Sequence, residues 1–251
     1  MKMLPIMLLI GCAGLTVFGA GATDGQPGST VGVSMGNEMV FAMQQSLDWL
    51  ASQQRPDGSW GVDGDDRLTA LIAFTLQSLR QPESDASLKR ARQWLDRRAV
   101  TNEPPLDACA WRLLLDGQGN QAFRKQLVGF GDKGYANAEW FEQRLWLQTR
   151  KKLSLATDNF TAPKIPEVKW PLGKDLTFRE VWEFARTVNQ DREIEILDDN
   201  GKPVNWRKSI VQRLITTQRR DFTGTGSYWA ASGKASAMEQ TAFALLLMLE
   251  L

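Results

Sequence analysis

The sequence predicts an all-α chain built from helix pairs set in an array or ring, and three observations predict it. An amphipathic helix end runs into a turn and an aromatic anchor at Gln53-Gln54-Arg55-Pro56-Asp57-Gly58-Ser59-Trp60-Gly61, with an apolar segment starting at Leu68. A looser copy lies near the C-terminus, where Leu214 to Asp221 is followed by an insertion and then Gly226-Ser227-Tyr228-Trp229. Each copy precedes a helix carrying Thr-Ala, at Thr69-Ala70 and Thr241-Ala242. A helix-turn-helix unit of this kind cannot bury its apolar face alone, so its recurrence implies stacking on its own copies.

The elements follow from periodicity and punctuation. Residues 23–36 are rich in Gly, Ser and Thr and read as a flexible leader. Asn37 caps a first helix, with Glu38 in its first turn and Val40, Met43, Leu47 and Leu50 on one face, ended by Asp57-Gly58. A second helix runs from Arg67 to Arg80, with Leu68, Leu71, Ile72, Leu76 and Leu79 along its stripe. A third, Asp85 to Arg98, carries Ala91-Arg92-Gln93-Trp94-Leu95, which echoes Ser46-Leu47-Asp48-Trp49-Leu50 at an offset of 45 residues.

Pro104-Pro105 open a fourth helix that Gly117 closes. The fifth and sixth span Asn120 to Val128 and Asn137 to Lys152. Pro163, Pro166 and Pro171 make 154–175 the one long irregular connection. A seventh helix holds Phe178, Val181, Trp182 and Ala185. The alternation Glu193-Ile194-Glu195-Ile196 with Asn200-Gly201 predicts a small β-hairpin at 192–204. The eighth helix holds Ile210, Val211 and Leu214, and the ninth, Met238 to Leu251, is apolar nearly all round and should be the most buried.

Composition narrows the function. The chain has 251 residues, 43% hydrophobic and 24% charged, with a net charge of +1, which suits one globular domain and argues against a nucleic-acid surface. The basic runs Arg97-Arg98 and Arg150-Lys151-Lys152 fall at helix ends, where they complement the helix dipole. Ten tryptophans scattered from Trp49 onward, against two tyrosines, read as packing anchors between helices, with a binding cavity as the alternative. With no histidine, Ser-His-Asp and Cys-His catalysis and His-containing zinc sites are excluded, leaving Asp, Glu, Lys or Tyr for proton transfer. No metal and no cofactor is expected.

Met1-Lys2, an uncharged stretch over 3–18 and Ala20-Gly21-Ala22 read as a signal peptide over 1–22, giving a mature chain from Thr23 that is periplasmic or extracellular with no membrane span. Leu9-Ile10-Gly11-Cys12 offers a lipoprotein alternative, weakened by the short run before Cys12 and the apolar residues after it; an uncleaved anchor is the third. After cleavage Cys109 is the one cysteine left, so no internal disulfide forms, and its apolar setting suits an inert buried thiol.

The segment Gln53 to Gly61 resembles the QW repeat of squalene and oxidosqualene cyclases and, more broadly, the prenyltransferase/squalene oxidase repeat of terpenoid-cyclase α/α toroids. Residues 204–229 and the following Thr241 to Leu246 are similar to the same repeat; 100–200 match by helix content alone. The resemblance implies an α/α-toroid domain over 37–251. Nine helices fall short of a full six-pair toroid, which leaves room for an incomplete ring. It also implies that Gln54, Gly58 and Trp60, and equivalently Gln218 with Tyr228 or Trp229, tie the end of one helix to its neighbour and serve the fold rather than catalysis. A Gln amide can satisfy exposed backbone groups at a helix terminus.

Enzyme signatures of that family are met unevenly. Class II cyclases protonate substrate with an Asp-x-Asp-Asp motif, and Asp63-Gly64-Asp65-Asp66 reproduces the string. Asp65 or Asp66 would equally cap the helix from Arg67. The Asp, Cys and His zinc site of protein prenyltransferases cannot be assembled without histidine, and Cys109-Ala110-Trp111-Arg112 is not a thioester sequence. Three functions are therefore carried forward. The first is an exported, non-catalytic toroid that binds an envelope protein or an apolar ligand. The second is a minimal terpenoid cyclase using Asp65 or Asp66 as acid. The third is a carbohydrate-active toroid using paired carboxylates, Glu139 with Glu142 or Glu180 with Glu183, although pairs at this spacing on one helix read as solvated faces.

Overall fold

The computed structural model describes residues 33–98, 104–116, 121–161, 163, 176–190, 196–198, 200–231 and 235–251. The expected signal peptide, most of the leader and parts of the long connection and the hairpin lie outside them. The described residues are mostly helical: α1 (Val33–Ser52), α2 (Asp66–Leu79), α3 (Asp85–Arg97), α4 (Leu106–Asp116), α5 (Gln121–Gly134), α6 (Trp140–Lys152), α7 (Phe178–Gln190), α8 (Trp206–Thr217) and α9 (Ala237–Met248). The strands β1 (Gln218–Arg220) and β2 (Ser227–Trp229) pair antiparallel, Arg219 opposite Tyr228.

Several boundaries correct the sequence-based expectation. Asn37 does not cap α1; the helix already runs through Val33 to Gly36, because Gly36 and Met39 are buried and that burial outweighs the low helix propensity of Gly and Ser. Helix α5 continues past Val128 to Gly134. Its Gly131 lies under the Trp146 indole, which a Cβ at that position would strike, so this glycine marks a helix contact rather than a stop. Asn137, expected to begin α6, instead ends a separate 3-10 turn, Tyr135–Asn137, and α6 starts at Trp140. The hairpin at 192–204 reduces, among the described residues, to one bridge between Leu197 and Pro203. The Asp198 carboxylate accepts the Asn200 and Lys202 N–H groups and adds to the backbone hydrogen bonds that close that turn. The two-stranded sheet forms instead at the second Gln-Trp segment.

The helices fall into two sets by their neighbours. In the first, α2 packs on α4, α4 on α6, α7 on α9 and α9 on α2. Helices α6 and α7 meet through Arg144 and Glu183 and through the Phe141 and Trp182 rings, 6.2 Å apart. In the second set, α3 lies on α2, α5 on α4, and α1 on α8, α9 and β2. Between the five helices of the first set stands an aromatic cluster to which each gives one ring: Phe74, Trp111, Phe141, Trp182 and Phe243. Their centroids are 5.2–6.2 Å apart in tilted and edge arrangements, the geometry that aligns ring edges with ring faces. Helix α9, apolar on every side, is buried continuously from Glu239 to Leu247.

The two Gln-Trp segments make the same connections. Trp60 Nε1 donates to Leu50 O at 2.8 Å and Trp229 Nε1 to Leu214 O at 3.0 Å, pinning each indole to the helix before it. Their backbone N–H groups donate to Thr69 Oγ1 and Thr241 Oγ1, tying them to the helix after. Gln54 Nε2 reaches Gly58 O and Ser87 O on α3, each at 2.9 Å, whereas Gln218 Nε2 reaches Ala42 O at 2.9 Å and Ser46 Oγ at 3.0 Å on α1. Gly58 sits so close to Arg90 O, and Gly226 to Gln45 O, that neither could carry a Cβ. Ser87 against Ala42 and Arg90 against Gln45 both differ by the 45-residue offset that separates Trp94 from Trp49. Tyr228 takes a further part, stacking on Trp49 at 4.8 Å.

Candidate functional site

Three places hold the polar chemistry: the loop before α2, the first turns of the five aromatic-bearing helices, and a cavity at their opposite ends.

In the loop, Asp63-Gly64-Asp65-Asp66 does not converge on one point. Asp63 is exposed in a left-handed turn with φ of 55°. Asp65 Oδ1 accepts the Leu68 N–H at 3.0 Å and caps α2. Asp66 pairs with Arg98 at 3.2 Å, and that guanidinium also lies over the Trp94 ring. Asp65 and Asp66 border a side cavity of about 220 Å³ together with Arg67, Arg98 and Arg112, apart from the aromatic cluster. Cys109, the single cysteine among the described residues, is buried beside it. Burial, reinforced by the Asp107 charge, pushes its thiol up to about 12, the behaviour of an inert packing residue.

At the first turns, Arg67 from α2 pairs with Asp107 from α4 and, at 2.9 Å, with Glu239 from α9. Burial works against the Arg67 charge, but the two carboxylates outweigh it and hold the guanidinium more firmly protonated than usual. Glu139 pairs with Arg179 at 3.6 Å, while Glu142 accepts the Glu139 N–H. Burial, with the Asp107 charge behind it, raises the Glu142 carboxyl above the ordinary range. Glu180 accepts the Thr177 N–H and hydroxyl and so closes the start of α7.

Glu183 corrects the expectation of a solvated face. It is fully buried, with Arg144 Nε at 2.5 Å, Gln148 Nε2 at 3.3 Å and Arg186 Nη1 at 3.8 Å. The four carboxylates therefore serve as caps and interhelix ties on different turns.

Because Glu142 binds its proton more tightly in the fold than in the unfolded chain, it has a pH consequence. Its favourable contribution is complete below the ordinary glutamate range and is lost as pH rises through its own raised value. Urea unfolding of the wild type and Glu142→Gln across about pH 4 to 7 should show the wild type losing stability relative to the variant as pH increases. A constant difference would remove the coupling.

The cavity at the opposite ends has a volume of about 430 Å³ and opens among the later turns of α2, α4, α6 and α9 and the middle of α7. Phe74, Trp111 and Trp182 line it together with Leu114, Leu145, Leu246 and Leu249. Lys152 Nζ stands 5.6 Å from the Phe74 ring centre, and the Arg186 guanidinium lies 4.2 Å from that of Trp182. Arg186 is little exposed; burial lowers its affinity for the proton while Glu183 and Glu250 oppose that. Gln148 also lines the space. Its Nε2 is committed to Glu183, which leaves its buried Oε1 without a donor.

Neither Arg67, Asp107 and Glu239 nor Gln148 and Arg186 stand out in the sequence. The available signal is a charge interrupting an apolar stripe, as Asp107 does between Leu106 and Ala108. Among the described residues, no helix is long and apolar enough to cross a membrane, and no group of three or more His, Cys, Asp or Glu side chains could hold a metal ion. No family model, no curated protein and no solved structure matches the chain.

Proposed function

We propose that this is an exported α/α-toroid protein, similar in design to the squalene-cyclase and prenyltransferase repeat proteins, which binds a ligand or partner in the cell envelope and catalyses no reaction. The ring arrangement is supported by the equivalence of the two Gln-Trp segments: the last helix pair grips α1 through the positions by which the first grips α3. An array whose end docks on its beginning in the same manner closes, as head-to-tail interfaces do when the rotation completes a turn.

The observation that carries the binding function is the aromatic cluster. Five rings pack together between α2, α4, α6, α7 and α9, where a repeat cyclase would need space for an isoprenoid chain, and Asp65 and Asp66 are engaged away from them in capping and in an ion pair. A cavity of about 430 Å³ is open at one end of these helices, lined by groups suited to holding a molecule.

Squalene and a shorter isoprenoid incubated with the purified chain should be recovered unchanged. Cyclic product that disappears in Asp66→Asn would replace this function with acid-catalysed cyclisation.

A further inference from the structure

The cavity at the later turns of α2, α4, α6 and α9 differs in charge from the rest of the molecule, which is nearly neutral. Three cations line it, Lys151, Lys152 and Arg186, against one carboxylate, Glu250. Among the described residues neither lysine meets a carboxylate. Arg186 approaches Glu183 and Glu250 only at 3.8 and 3.9 Å, beyond hydrogen-bonding distance. Glu250 is itself engaged, accepting Asn189 Nδ2 on its backbone oxygen at 2.7 Å and on Oε2 at 3.2 Å.

Lys152 lies over the Phe74 ring face, and Arg186, besides its longer ion pairs with Glu183 and Glu250, lies over that of Trp182. A ring face attracts a cation but accepts no strong hydrogen bond, so these N–H groups keep their capacity for an anion. The same two rings and Trp111 belong to the cavity's apolar lining, so a molecule bound by the cations would lay its body against aromatic carbon. The volume falls within the range of about 300–1,000 Å³ usual for small-molecule cavities. On the same wall, the orphan Gln148 Oε1 is an acceptor of the kind that a bound donor satisfies.

Resting on the binding function above, we propose that this cavity takes a small organic anion, a carboxylate, sulfonate or phosphate carried on a flat apolar body. The anion would sit between Lys152 and Arg186 and the body against Phe74, Trp111 and Trp182. Anilinonaphthalene sulfonate has these features and N-phenylnaphthylamine is its close uncharged counterpart, so the pair separates the charge from the rings.

Titrated into the purified, folded chain, one sulfonate should bind per molecule, about tenfold or more tighter than the neutral dye, as expected for a charge-assisted contact. Added salt should weaken it. Lys152→Gln and Arg186→Gln should each lower sulfonate affinity by about tenfold and leave the neutral dye nearly unaffected. Lys152 is exposed, so its variant keeps the fold even if that of Arg186 does not. Equal binding of the two dyes, or wild-type sulfonate affinity in Lys152→Gln, would overturn the proposal. No dye binding by the folded chain would overturn it too while leaving an envelope partner standing. Cyclic product from squalene would instead overturn the non-catalytic function, whatever the dyes do.

Discussion

Trp60→Ala and Trp229→Ala should each lower unfolding free energy by about 3–5 kcal/mol, the range for removing a large buried aromatic side chain. Both indoles are sealed from solvent, at 0% and 1% exposure, so little relaxation can refill the space. Each truncation also strips the Nε1 donor from a helix-end carbonyl, Leu50 O or Leu214 O. Phenylalanine at either position separates the two effects, because it restores most of the ring volume but not the donor. Trp60→Phe and Trp229→Phe should therefore cost about 1–3 kcal/mol, with Trp60→Phe toward the lower end because Leu50 O keeps the Gln53 N–H. Urea denaturation monitored by circular dichroism gives both values. A loss below about 1 kcal/mol in the alanine variants would mean that the indoles do not hold the helix pairs together.

The second large effect is expected at Arg144. Its guanidinium joins α6 to α7 by donating to Glu183 Oε1 and, at 3.0 Å, to Thr187 Oγ1. Arg144→Met leaves Glu183 buried with only Gln148 in hydrogen-bonding range and Arg186 farther off, and removing one partner of a buried pair costs about 3–5 kcal/mol. Removing both charges in Arg144→Met/Glu183→Leu should recover most of that loss, since an apolar pair avoids the desolvation that the ion pair had to offset. The recovery is a coupling between neighbours, read as non-additivity in the same urea experiment. If the double variant is less stable than Arg144→Met, Glu183 is held by groups other than this arginine.

How far the sequence reached depends on where each signal lies. The stripe of Leu68, Leu71, Ile72 and Leu76 repeats at helical spacing within fourteen residues, and α2 is found within one residue of its expected ends. The start of α1 is hidden in the sequence because Ser34 and Gly36 look like linker, and the burial of Gly36 is not visible there. Strands β1 and β2 have three residues each, too few to show alternation. The Gln-Trp pattern was visible because its parts lie close together in the chain. Choosing Trp229 over Tyr228 as the counterpart of Trp60 required the hydrogen bonds to Leu214 and Thr241.

The sites were less legible than the fold for the same reason. Arg67, Asp107 and Glu239 are separated by 40 and 172 residues from Arg67 outward, so no local pattern announces that they meet. The run Arg150-Lys151-Lys152 does end α6, as the dipole argument requires. Its members nevertheless divide their tasks. Arg150 is buried against Asp132 at 2.5 Å, and Lys151 and Lys152 turn to the cavity. Glu183 shows the converse: an acidic residue that looks like surface becomes interior because α6 brings an arginine to it.

The hydrogen bond from Gln218 to Ala42 spans 176 residues. During synthesis α1 therefore leaves the ribosome long before the glutamine that binds it exists. The contact between α1 and the Gln218 segment can therefore form only after both have been synthesised. Damage to the β1–β2 hairpin would accordingly register first as loosened amide protons in α1, although α1 lies about 170 residues away in sequence.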